Sequence, residues 1–133
     1  MVKKIAEEHR VLEGLFANAI RHGESSNSEE SVRESVLELR EALEAHLLAE
    51  EHLYFPTIWA LRPEFKSRLR AFIRAHHHFR GLIQEVTGLI ESDEREEAMH
   101  ILQGLTHEFK RHEASEEDCL RSLGDEILEK GAH

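Results

Sequence analysis

"AHLLAEEHLYFP", residues 45–56, sets a histidine and a glutamate four positions apart among leucines. Residues four apart in a helix stand one above the other, so His46 and Glu50 share a face with Leu39, Leu43 and Leu53. A carboxylate aimed into an apolar interior is costly unless something compensates its charge. The stretch therefore predicts a buried helix face and, elsewhere in the chain, a partner for its polar pair.

Three more segments carry the alternating three- and four-residue steps of an amphipathic helix. The first seam runs Val2, Ile5, His9, Leu12, Phe16, Ala19, and the second, around the opening stretch, runs Val36, Leu39, Leu43, His46, Glu50, Leu53. The third is Leu69, Phe72, His76, Phe79, Ile83, Val86, Ile90, and the fourth Ala98, Leu102, Leu105, Phe109, His112, Glu116, Cys119, Leu123. Between them, "RHGESSNSEE" (21–30) reads as a loop ending in an N-cap at Ser26 or Asn27. "PTIWALRPEF" (56–65) reads as the middle break, with Pro63 fitted to the first turn of the next helix. "ESDERE" (91–96) gives the third break, with Asp93 and Glu96 as a capping box. Short connections favour antiparallel neighbours, so the expected fold is all-α: a single up-down-up-down four-helix bundle over residues 1–133. Gly14, Gly81, Gly88 and Gly104 fall inside helices, where close backbone approach would explain them.

Composition narrows the function. A net charge of −10, from 27 acidic against 17 basic residues, repels phosphate backbones and anionic lipid, which argues against nucleic-acid and membrane partners. One cysteine, Cys119, excludes an internal disulfide and suits a reducing compartment. "MVKKIAEEHR" has no apolar run behind its lysines, and no stretch approaches a membrane span, so a cytoplasmic location is expected.

The four seams are apolar except at His9, His46, Glu50, His76, His112 and Glu116. At 1.5 Å per residue, His9 and His46 lie roughly 20 and 25 Å from the first loop, and His76 and His112 roughly 22 and 28 Å from the third. The four histidines thus share one level, with Glu50 and Glu116 a turn further on. A cation at that level would remove the burial conflict. Imidazole with carboxylate and no thiolate suits iron or manganese better than structural zinc. Six donors, including two carboxylates from different helices, fit a pair of ions better than one.

These residues resemble the hemerythrin-like (HHE cation-binding) family over nearly the whole chain, from "EEHRVLEGLF" to "HEASEEDCL". "HLLAEEHLYFP" matches the family's H-x-x-x-E-E with its apolar-apolar-Pro end, "HEASEE" repeats H-x-x-x-E-E in the fourth helix, and "HR" opens the first. The resemblance implies a non-haem di-iron centre, oxo- or hydroxo-bridged, with Glu50 and Glu116 bridging and His9, His46, His76 and His112 as terminal ligands. It departs from oxygen carriers at two places. Their third helix has H-x-x-x-H where this chain has Arg80 after His76, and their fourth has H-x-x-x-x-D where it has His112 and Glu116. One fewer histidine makes an iron more open to water, peroxide or nitric oxide and less suited to reversible oxygen carriage. The function so implied is binding of, or reaction with, a small oxidant. The alternative is a module that holds iron or senses iron or oxygen without turnover, which would need a protein partner.

Other residues are read more plainly. His77 and His78 fall off the third face, and His22, His52, His100, His107 and His133 lie outside the seams. Glu13 reads as a solvated flank, Glu51 and Glu117 as surface partners, Tyr54 as a bundle-edge tyrosine and Cys119 as a small apolar filler.

Overall fold

Each seam folds as a long helix. In the computed structural model, which describes residues 1–25 and 28–123, α1 spans Val2–Glu24, α2 Glu29–Ala49, α3 Phe55–Leu61, α4 Lys66–Glu91 and α5 Arg95–Arg121. A π-helical turn, Glu50–Tyr54, joins α2 to α3, and a 3-10 turn, Pro63–Phe65, leads into α4. Among the described residues every regular element is helical, and no helix is long and apolar enough to cross a membrane.

The helix ends follow local chemistry, in two places differently from the sequence expectation. Ser26, Asn27 and His133 lie outside the described residues; the cap of α2 is Ser28, whose hydroxyl accepts the Ser31 N–H at 3.2 Å. The capping box at Asp93 and Glu96 does not form. Asp93 has φ 61°, which suits the C-terminal side of α4 and not an N-cap, whose backbone is extended. There the N–H of Glu94 reaches the Leu89 carbonyl at 2.8 Å and that of Asp93 the Ile90 carbonyl at 3.2 Å, the paired bonds of a Schellman ending.

The middle break is also shorter than expected. Pro56 sits in the first turn of α3, where its missing N–H costs little. The chain leaves helical geometry only at Arg62, φ −139° and ψ 78°, the residue that Pro63 forces out of the α region. The π turn closes with the Phe55 N–H on the Glu50 carbonyl. Its extra residue turns the following side chains by about 100°. Leu53, expected in the core, is therefore 56% exposed, and Tyr54 is buried in its place.

Helix α1 packs on α2 and α5, and α4 packs on α5 and α2, so the four long helices enclose one interior. That interior holds two apolar clusters. One gathers Leu12, Phe16, Leu43, Leu47, Phe79, Leu105 and Phe109 with their neighbours. The other gathers Ile5, Tyr54, Phe55, Ile58, Leu69, Leu120 and Leu123. On each long helix the polar residues fall between the two: His9 between Ile5 and Leu12, His46 and Glu50 between Leu43 and Tyr54, His76 between Leu69 and Phe79, and His112 and Glu116 between Phe109 and Leu120. Close approach does not explain the four helical glycines, since a Cβ on Gly14, Gly81, Gly88 or Gly104 would meet nothing within 4 Å. Among the described glycines Gly23 is the one with a close neighbour: a Cβ there would meet the flexible Met99 side chain, which would have to move.

Candidate metal centre

The structure brings all six sequence-selected residues into that slab. Glu50 Oε1 lies 3.3 Å from His46 Nε2 and 3.2 Å from His76 Nε2, so it stands between side chains of two helices. Glu116 spans a second gap, with Oε1 3.3 Å from His9 Nε2 and Oε2 2.9 Å from His112 Nε2. His9, His46, Glu50, His76 and Glu116 are buried, and the His112 side chain is 8% exposed.

The inner atoms lack hydrogen-bond partners. All four Nε2 atoms, Glu50 Oε2 and both oxygens of Glu116 are buried without one. Buried polar atoms are seldom left unpaired, and a bound ion is one of the few explanations for a group of them. Two sets of donors could each hold a cation: His9, His46, Glu50 and Glu116, and His76, His112 and Glu116, with the chosen ligand atoms in each set within 4.8 Å of one another. The donor set fits a metal on both counts, chemistry and unmet valence.

The outer ring nitrogens of His9, His46 and His76 are held. His46 Nδ1 meets Glu8 Oε1 at 2.8 Å, and the Tyr54 hydroxyl donates to Glu8 Oε2 at 2.6 Å. His76 Nδ1 meets Glu51 Oε2 at 2.7 Å, and Arg80 donates to both oxygens of Glu51 at 2.9 and 3.0 Å while its Nε binds Glu44. His9 Nδ1 meets Glu117 Oε2 at 3.2 Å, and Arg10 binds Glu117 from outside. A carboxylate on Nδ1 places the proton there and leaves Nε2 as a bare lone pair facing inward, the tautomer a metal requires.

Electrostatics agree with this layout. Burial raises the Glu50 pKa well above the carboxylate range, and the charge of Glu116 adds to it. Burial acts in the same sense on Glu116, but Glu50, His112 and His9 outweigh it and hold that carboxyl low. Burial and their mutual interaction thus push the two acids in opposite directions, Glu50 upward and Glu116 downward. Burial lowers His76 to about 4 and also lowers His46, against the pull of Glu51 and Glu8. For His9 burial is outweighed by Glu116, Glu113 and Glu117, and its pKa is raised.

Several plainer expectations change. Tyr54 is no edge residue, because the π turn carries it inward onto Glu8. Glu51 and Glu117 are largely covered partners of His76 and His9. Glu8 and Glu113 were missed. Glu113 is 2% exposed with both oxygens unpartnered, 3.6 Å from His9 Nδ1, and burial raises its pKa to about 8. The other expectations agree: His77 and His78 point outward, with His78 on Glu108, and Glu13 pairs with Arg10. His52, His100 and His107 are exposed, whereas His22 is half-buried. Cys119 is buried and outside both donor sets, with Arg68 at 3.8 Å from its sulfur.

The profile of the Hemerythrin HHE cation binding domain matches residues 1–122. No curated protein and no solved structure matches the chain.

Proposed function

The chain belongs to the Hemerythrin HHE cation binding family, and from that premise we propose that it is a non-haem di-iron protein that binds or reacts with a small oxidant. The observation that carries this reading is the set of four inward, unpartnered Nε2 atoms interleaved with two buried carboxylates. Glu50, Glu116, His9, His46, His76 and His112 would together hold the pair of ions, with the two carboxylates reaching between histidines of different helices. Manganese satisfies the same donors. The bundle runs up-down-up-down as one domain; clustering of Ile5, near the start of α1, with Leu120, near the end of α5, supports antiparallel neighbours.

Iron held here would supply a binding position for dioxygen, nitric oxide or peroxide, and electrons to share with it. The protein's part is to fix the donors and exclude bulk water. The two apolar clusters on either side of the slab serve that last purpose. Peroxide or nitric oxide chemistry is favoured over reversible oxygen carriage by Arg80. It stands four residues after His76, where oxygen carriers have a histidine, and its guanidinium is engaged by Glu44 and Glu51 and offers no donor. A position on the centre is thereby left for the small molecule. The acidic surface fits a cytoplasmic protein with neither nucleic-acid nor membrane partners.

Hydrogen peroxide added to the iron-loaded protein, with oxygen evolution followed by electrode, tests the reading. Sustained evolution supports turnover. A single stoichiometric optical change identifies a holding or sensing module instead, and a protein that takes up no iron contradicts both.

A further inference from the structure

The two halves of the centre are built unequally. One donor set has four members, His9, His46, Glu50 and Glu116, and the other three, His76, His112 and Glu116. Glu50 meets both halves with the same oxygen, Oε1, which lies against His46 Nε2 and His76 Nε2 alike. That oxygen can serve only one of the two halves closely, and the other half is left to recruit Oε2.

The outer contacts divide the same way. Both histidines of the first half have a carboxylate on Nδ1, each secured in turn: Glu117 by Arg10 and Glu8 by Tyr54. In the second half His76 has Glu51, but among the described residues no carboxylate reaches His112 Nδ1. The His112 ring instead meets Phe72 at 5.3 Å and Phe79 at 5.1 Å between centroids, and its side chain is 8% exposed against 1% and 3% for His9 and His46. A carboxylate behind a ligating histidine fixes its tautomer and orientation and is typically worth about 10–100-fold in metal affinity.

Resting on the di-metal reading, we propose that the centre fills in order. The His9–His46–Glu50–Glu116 half takes the first cation and keeps it. The His76–His112 half takes the second more weakly, exchanges it, and is where a small ligand finds the open position. At limiting metal the protein is then mononuclear, and its two-ion form reports on metal supply.

Anaerobic titration of the metal-free protein with cobalt(II), followed by visible absorption and calorimetry, tests the order. The expected result is two steps with dissociation constants at least about tenfold apart. His112→Ala should remove the weaker step and keep the tighter one, and His46→Ala should remove the tighter. Two equal steps in the parent protein overturn the proposal, as does loss of the tight step in His112→Ala. The parent titration decides the matter if a variant does not fold. Absence of any cobalt binding would instead defeat the metal centre itself.

Discussion

At the residue scale, the six inner side chains were legible because each breaks an apolar seam, a property of one helix at a time. The outer carboxylates were not, since the partner of a ring nitrogen depends on how neighbouring helices are rotated against each other. A signal was nevertheless present in the two H-x-x-x-E-E stretches. In each, the first glutamate faces inward and the second accepts from a histidine on another helix, Glu51 from His76 and Glu117 from His9. Two predictions belong here. Glu50 and His9 hold protons more tightly than usual in the metal-free centre, and a cation needs both deprotonated. Affinity should therefore rise with pH through neutrality, so cobalt(II) should bind more tightly at pH 8 than at pH 6; equal affinities would contradict this. For Glu113, folding raises the pKa from 4.5 to about 8. The folded state binds more protons than the unfolded one between those values, so this group's contribution is full below 4.5 and falls as pH rises to 8. In metal-free protein, Glu113→Gln should gain on the parent by up to about 1.4 kcal/mol per pH unit across that window. Urea unfolding at pH 5 and pH 8 measures it, and a gap that does not widen refutes it.

At the element scale, periodicity located the four long helices, while punctuation misled at two of their ends. Pro56 looks like a break in the sequence, yet a proline in the first turn of a helix breaks nothing, and the π turn before it cannot be seen from side-chain spacing. That turn exposes Leu53 and buries Tyr54, which reaches the carboxylate behind His46. The spacing of Asp93 and Glu96 suggests a cap for α5, but the Asp93 backbone serves the end of α4. Because a side chain in left-handed backbone is strained and glycine is not, Asp93→Gly should leave folding intact and raise stability by about 1 kcal/mol. The open surroundings of Gly81 and Gly104 lead to a companion expectation. Gly81→Ala and Gly104→Ala should each add about 0.5–1 kcal/mol through helix propensity. Thermal or urea melts of these variants decide both, and destabilisation would show that the glycines answer to a constraint other than space.

At the scale of the whole molecule, an oily interior is divided by a layer of buried imidazoles and carboxylates. Leaving those groups unneutralised is expensive against a net stability of about 5–15 kcal/mol for a domain. A cation binding only the folded chain adds stability by mass action, about 2.7 kcal/mol at a hundred times its dissociation constant. Chelation should therefore lower the melting temperature, and restored metal should raise it again; a melt indifferent to both would speak for histidine–glutamate pairing alone. The most direct test is metal analysis of protein purified with Glu50 and Glu116 both changed to glutamine, beside the parent. The parent should carry about two irons per chain and the double variant almost none. A double variant that keeps the parent's full complement would contradict the account, because the ions would then be held somewhere other than between these two carboxylates.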